Sequence, residues 1–226
     1  ITARVKPAVR DRIPASAYWA YSNGAWVQRP TERLARRLAG IPPAAVPHLL
    51  AVLRAARPHW SVALDLSDTT VLVDPFPQAD SRYWNQVVRC RSVSELVLTE
   101  PLSKLLVRTG TVCDEVVTAQ VQRLVGDAVV ATASGGRYVE LGPPGAGKAD
   151  ALRWICAEER VAPTRVVAVG DGLNDRAMLR LAGLSAVPAN APEEVRRLAD
   201  LRLPTNDEDA VAVLVDLLLT GTPDDG

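Results

Sequence analysis

Cysteine, histidine and lysine are all scarce in this chain, and each scarcity removes a class of function. Cys90, Cys113 and Cys156 are odd in number and far apart. That usage excludes a thiolate zinc site and fits reduced thiols packed as core filler in a cytoplasmic protein. His48 and His59 are too few and too isolated to build a histidine-based metal centre. Lysine occurs only at Lys6, Lys104 and Lys148, against a background of arginine. A chain that habitually uses the planar guanidinium keeps lysine where a compact ammonium matters, which marks Lys148. Long apolar runs are also missing: the most hydrophobic one, Val211 to Leu219, is short and broken by Asp216, so no transmembrane helix is expected. No basic-then-apolar segment opens these residues. Net charge of either sign is absent as well, 26 basic residues against 26 acidic ones, so nothing global recruits nucleic acid or an anionic membrane.

What is present is a 226-residue chain with 48% hydrophobic content, enough for one large or two modest packed domains. Its most informative stretch is Arg165 to Asp175, followed by Arg176 to Gly183. Val166-Val167-Ala168-Val169 reads as a strand buried on both faces, as in a parallel sheet, and Gly170-Asp171-Gly172 ends it abruptly. Asn174 or Asp175 is placed to cap a helix that turns Met178, Leu179 and Ala182 inward and stops at Gly183. Ligands in open α/β sheets bind at the carboxyl ends of strands. Asp171 and Asp175, four apart across a tight turn, can converge there on a hard cation such as Mg²⁺, which takes oxygen ligands and keeps several waters. A turn aspartate plus a capping aspartate is the plainer alternative.

The whole string, strand to Gly-Asp-Gly to Asn-Asp to helix, resembles the last motif of the haloacid dehalogenase superfamily, particularly its Cof-type sugar-phosphate phosphatases. The resemblance implies that Asp171 and Asp175 hold Mg²⁺ and that Asn174 helps orient a phosphate. It extends to Thr2-Ala3-Arg4, where the family carries Thr-Gly-Arg with a phosphate-contacting threonine, so Thr2 and Arg4 become candidate phosphate residues. Asn23-Gly24-Ala25 matches an Asn-Gly-Ala at the lip of the family's active site; by itself Asn-Gly is a hairpin turn. Lys148, after Glu140-Leu141 and before Leu152, matches a lysine that neutralises the nucleophile and the transferring phosphoryl oxygens. Asn190-Ala191 matches a further family position; on local grounds Asn190 is an N-cap with Glu193 at the third helical position.

The implied fold is α/β: a Rossmann-like parallel-sheet core, residues 1–28 and 136–226, with an α/β cap domain, residues 29–135, inserted between. Inside the cap the expected elements are helices over Glu32–Leu38 and Pro43–Ala56, a hairpin Ser61–Asp65 and Thr69–Val73, a strand Ser103–Arg108, a helix Cys113–Leu124 and a strand Ala128–Thr132; the strand Arg137–Leu141 is expected just past the cap boundary. Arg33, Arg36 and Arg37 read as a solvated helix face. A helix over Val5–Arg12 is expected near the start, and one over Asp207–Leu219 near the end. The implied activity is Mg²⁺-dependent hydrolysis of a small phosphorylated metabolite through an aspartyl-phosphate, by a cytoplasmic monomer or weak homodimer with no nucleic-acid or membrane partner.

Two strings imitate other motifs. Asp65-Leu66-Ser67-Asp68-Thr69-Thr70 looks like the family's Asp-x-Asp-Gly-Thr nucleophile, but it is one residue too long, lacks the glycine and falls in the wrong order, so it reads as a cap hairpin. Gly142 to Ala149 fits a P-loop up to its last position, where Ala149 replaces the hydroxyl that would hold Mg²⁺ and two prolines remove backbone donors. A P-loop nucleotide hydrolase and a non-catalytic binding fragment are the alternative functions. No other Asp-x-Asp-Gly-Thr is present. In the family the nucleophile strand runs directly into the Thr-Gly-Arg segment, so the expectation is a chain that begins just past its nucleophile and is inactive by itself.

Overall fold

The computed structural model describes residues 1–2, 17–30, 32, 34–66, 69–73, 76, 86–91, 95–134 and 137–220. The chain divides into two compact units, Ile1–Ala151 and Leu152–Gly226.

The first unit opens with a small antiparallel sheet. Strand β1 (Trp19–Tyr21) turns through Ser22–Gly24 into β2 (Trp26–Gln28), which pairs with β3 (Arg36–Arg37). The expected hairpin is therefore present. The expected helix over Glu32–Leu38 is not: Arg36 pairs with Val27, Arg37 with Trp26, and the Leu38 amide donates to Ala25. Tertiary pairing overrides the helical pattern here. Nor does Arg37 stand on a solvated face, for its guanidinium lies 4.5 Å from the Trp26 ring centroid and pairs with Glu100 at 3.0 Å.

A six-stranded mixed sheet follows. Helix α1 (Val46–Ala56) buries Val46, Leu49, Leu50 and Leu53, the expected face. Strands β4 (Ser61–Asp65) and β5 (Thr69–Val73) form the expected antiparallel pair, and β6 (Gln86–Cys90), which no pattern announces, joins β5 in parallel. Strand β7 (Lys104–Arg108), helix α2 (Glu115–Val125), and strands β8 (Val130–Ser134) and β9 (Tyr138–Gly142) complete it in the order β6-β5-β4-β7-β9-β8. Asp114 caps α2 by accepting from the Val117 amide. Period-2 alternation sends Val62, Leu64, Leu105, Val107, Val139 and Leu141 to one face, where they pack with α1 and α2 residues in the largest core. Ala63, Leu72, Leu106 and Phe76 form a smaller cluster, with Tyr138 packed against it. Because β9 is hydrogen-bonded into this sheet, residues 138–142 share a sheet with the expected cap, beyond the boundary near 135.

Helix α3 (Lys148–Glu159) carries the chain into the second unit. There β10 (Val167–Val169), helix α4 (Arg176–Leu181), β11 (Leu184–Pro188), the short helix α5 (Glu193–Arg196) and β12 (Leu201–Leu203) build a parallel sheet, β10-β11-β12, before α6 (Ala210–Thr220). This is the Rossmann-like layer: Ala168 and Val187 pack with Leu152 and Cys156 of α3 and Met178 and Leu179 of α4, while Ala186 and Leu203 pack with Ala210 and Leu214 of α6. The architecture is α/β, as expected. The Val5–Arg12 helix, Arg4 and the Ser67-Asp68 turn lie outside the described residues. No described helix is long and apolar enough to cross a membrane.

Candidate active site

In the second unit the candidate metal residues stand where β10 ends. Gly170 lets the chain fold back on itself, because a Cβ there would lie 2.5 Å from Asp175 Cβ. Asp175 is buried, and its Oδ2 accepts from the Asp171 amide at 3.2 Å and the Gly172 amide at 3.0 Å. Its carboxylate thus locks the Gly-Asp-Gly turn instead of capping α4, at whose N-cap position it makes no side-chain hydrogen bond. Asp171 is exposed. Asn206 Nδ2 donates to Asp171 Oδ2 at 3.4 Å, and the Asn206 amide donates to Asn190 Oδ1 at 3.1 Å. Asn190 is therefore brought to the Asp171 turn through Asn206 and does not cap α5, whose N-cap is Pro192. Asn174 lies over the same turn, its Oδ1 2.6 Å from where a Gly172 Cβ would be.

Asn206 was not legible as a site residue. Its one sequence signal, Thr205 three residues before Glu208, announces only a capping box, which the structure shows. The donor set fits Mg²⁺, which binds proteins through one or two carboxylates and otherwise keeps water. Asp171 and Asp175 would be those carboxylates, and among the described residues no group of three or more His, Cys, Asp or Glu residues is placed to hold a metal.

In the first unit a second set of candidates meets. Thr2 donates its amide to Ala20 O at 2.8 Å and accepts at its carbonyl from the Asn23 amide at 3.1 Å, so Thr2 runs beside β1 into the Ser22–Gly24 turn. Asn23 sits in the left-handed region (φ 59°, ψ 16°), which asparagine tolerates better than most residues. Gly24 has φ +99°, and a Cβ on it would stand 2.5 Å from Gly147 O. Only glycine allows this turn to touch the loop that leads into Lys148, the first residue of α3. Thr2, Asn23, Gly24 and the Lys148 loop are thereby brought together. The loop is not a P-loop: Asp150 Oδ2 occupies the Gly147 amide at 2.9 Å, putting a carboxylate where a phosphate cradle needs a free donor.

Beside that turn lies a buried polar cluster in which only Asp65 belongs to a motif-like string. Asp65 ends β4 and is paired in register with Lys104 on β7 and Thr70 on β5. Ser22 Oγ donates to Asp65 Oδ2 at 3.2 Å; Asp65 Oδ1 is buried with no hydrogen-bond partner. Lys104 Nζ donates to Glu140 Oε1 at 3.0 Å, both side chains buried, and Asn23 Nδ2 donates to Glu140 Oε2. Burial pushes the Asp65 carboxyl up to about 7, with Glu140 adding to the rise and Lys104 and the Ser22 hydroxyl opposing it. A carboxyl 1% exposed, whose ionised form burial disfavours, is poorly suited to attack a phosphoryl group, so Asp65 is a poor stand-in for an Asp-x-Asp-Gly-Thr nucleophile.

A sequence profile of the haloacid dehalogenase-like hydrolases matches residues 2–215. The chain belongs to this family. Among curated relatives, a phosphoglycolate phosphatase of Methanopyrus kandleri is 43% identical over 72 residues, 32% of this chain and 31% of that protein. A 5-amino-6-(5-phospho-D-ribitylamino)uracil phosphatase of Bacillus subtilis, YwtE, is 32% identical over 90 residues, 40% of this chain and 32% of that protein. The matched part of this chain thus spans about a third of either relative's length. The crystal structure of SMU.1108c from Streptococcus mutans superposes with a TM-score of 0.85 at 22% identity, covering 97% of this chain and 84% of that one, which shows a shared fold.

Proposed function

We propose that these residues supply the Mg²⁺- and phosphate-binding parts of a hydrolase of small-metabolite phosphate monoesters, in the manner of the Cof-type sugar-phosphate phosphatases. The observation that supports this most is the contact between the Ser22–Gly24 turn and Gly147, which groups Thr2, Asn23 and Lys148 although they are far apart in sequence. The residues before 29 and after the six-stranded sheet are assigned to the catalytic core, and that sheet with α1 and α2 to the cap that selects the leaving group.

Each residue's part follows from its chemistry. Lys148 brings a point positive charge to the N-terminus of a twelve-residue helix, whose own dipole adds to it, and both favour the oxygens of a transferring phosphoryl group. Thr2 and Asn23 supply donors that orient the phosphate; the family resemblance gives Asn174 a phosphate-orienting part of its own. Asp171 and Asp175 would hold Mg²⁺, which when bound neutralises phosphate charge. The aspartyl nucleophile and the acid/base aspartate are not among the residues the structure assembles, and no Asp-x-Asp-Gly-Thr occurs in the 226 residues. These 226 residues are expected to bind Mg²⁺ and inorganic phosphate without turning over a phosphomonoester.

Calorimetric titration of Mg²⁺ into the chain and its Asp171→Ala variant, beside a p-nitrophenyl phosphate assay, tests this reading. Binding that Asp171→Ala abolishes is the expected result. Unchanged Mg²⁺ affinity in the variant would remove the metal assignment, and Mg²⁺-dependent turnover would show that a nucleophile is present after all. Nucleotide binding that survives Asp171→Asn but not Lys148→Ala would favour a P-loop-like activity instead.

A further inference from the structure

The phosphate-site turn stands on the buried charges of the six-stranded sheet. Ser22 and Asn23 are adjacent, and each is gripped by a different carboxylate: Ser22 by Asp65 at the end of β4, Asn23 by Glu140 on β9. Lys104 on β7 lies between them, opposite Asp65 in register and ion-paired to Glu140. Taking Lys104 and Glu140 out of water is costly, and a buried ion pair is weak grounds for stability, because apolar residues of similar volume serve as well or better. The pair does place one thing with accuracy. Glu140 Oε1 is fixed by the ammonium, so Oε2 presents a fixed acceptor to the Asn23 amide. Asn23 is held from its other side by its backbone, whose N–H donates to the Thr2 carbonyl, and by the seating of Gly24 on Gly147.

We propose that Glu140, held by Lys104, is a positioning residue that acts through Asn23, fixing the side-chain amide of the Ser22–Gly24 turn beside the Lys148 loop and so setting the phosphate subsite from the six-stranded sheet. This rests on the phosphate-binding reading above and extends it to two residues that would not touch the phosphate. The consequence is a registration device. A shift of β9 against β7 would move Asn23, so the sheet and the phosphate subsite are correctly arranged together or not at all.

The test is a double-mutant cycle read as affinity for inorganic phosphate by calorimetry, in saturating Mg²⁺, on the 226-residue chain. The variants are Asn23→Ala, the charge-free pair Lys104→Met/Glu140→Leu, and the triple combination. The pair variant removes both members of the ion pair, and the buried Asp65 carboxyl, deprived of the neighbouring ammonium, is driven further toward its neutral form; Glu140→Asp, which keeps both charges but withdraws the carboxylate by one methylene, serves if the pair variant fails to fold. The expected result is that Asn23→Ala and the pair variant each weaken phosphate about tenfold and that the triple variant is no weaker than Asn23→Ala, since partners acting in one chain of contacts do not add. Mg²⁺ affinity without phosphate should not change. Losses that multiply in the triple variant, or wild-type phosphate affinity in the pair variant, would overturn the positioning role while leaving the phosphate site standing. No phosphate binding by the wild-type chain would overturn the functional reading itself, and this proposal with it.

Discussion

Asp65 shows how a single residue carries a motif-like string to a different end. Its position at the end of a buried strand makes ionisation costly, and its carboxyl faces Lys104, Glu140 and the Ser22 hydroxyl. An aspartate that titrates near 7 in the folded chain and near 3.8 when unfolded makes the native state the better proton binder between those values. Stability from this group is therefore complete below about pH 4, declines as pH rises through about 7, and is flat above, at roughly 1.4 kcal/mol per pH unit in between. Asp65→Asn should remove that decline. Urea unfolding at pH 5 and pH 8 should show the wild type losing roughly 2–3 kcal/mol more than the variant over this interval. Equal losses in the two proteins would mean that Asp65 is ionised throughout. Lys148 makes a different demand. A planar guanidinium cannot occupy the place of a compact ammonium beside a phosphoryl group, so Lys148→Arg should weaken inorganic phosphate about tenfold, despite the conserved charge. Calorimetry with near wild-type affinity in that variant would place Lys148 outside the subsite.

At the scale of elements, what could be read in advance was whatever local pattern decides. Helix α1 follows from the spacing of Val46, Leu49, Leu50 and Leu53, β4 and β5 from dense β-branched and apolar runs, and the β10 turn from its glycines around Asp171. Where long-range pairing decides, the pattern misleads: Arg36-Arg37 became β3 through Trp26 and Glu100, and the exposed Gln86–Arg89 stretch became an edge strand by pairing with β5. The proposed residues divide in the same way. Asp171 and Asp175 are marked by their spacing and Lys148 by its rarity among arginines, whereas Glu140, Lys104 and Asn206 become notable only through residues 16 to 117 positions away. Gly24 is the hinge of that difference, since its sequence reads only as half of an Asn-Gly turn. Gly24→Ala brings a Cβ to 2.5 Å from a backbone carbonyl at φ +99°, and should destabilise the chain by roughly 2–4 kcal/mol. Gly110, at φ +85° with nothing within 4 Å of an added Cβ, isolates the conformational cost; Gly110→Ala should lose only about 1 kcal/mol. Equal losses in thermal melts of the two variants would remove the close contact from the account.

At the scale of the whole molecule, the second unit presents two sticky features. Its sheet is narrow, and β10 has a hydrogen-bonded neighbour on one side only among the described residues. On α6, Val211, Val215, Leu218 and Leu219 are 57%, 46%, 52% and 79% exposed, at spacings of four, three and one that align them as one helical stripe. Buried Ala210 and Leu214 already occupy the face turned to β11 and β12, so the stripe is surplus to the unit's own core. Unpaired strand edges and contiguous apolar patches both promote association between copies. Scattered light from the 226-residue chain should therefore rise with concentration. A glutamate and a lysine at i and i+4 form a favourable helix pair, so Val211→Glu/Val215→Lys keeps α6 helical while breaking the stripe. That variant should scatter less at equal concentration and retain its Mg²⁺ affinity, because α6 carries none of the proposed ligands. Undiminished association would assign the contact to the β10 edge instead.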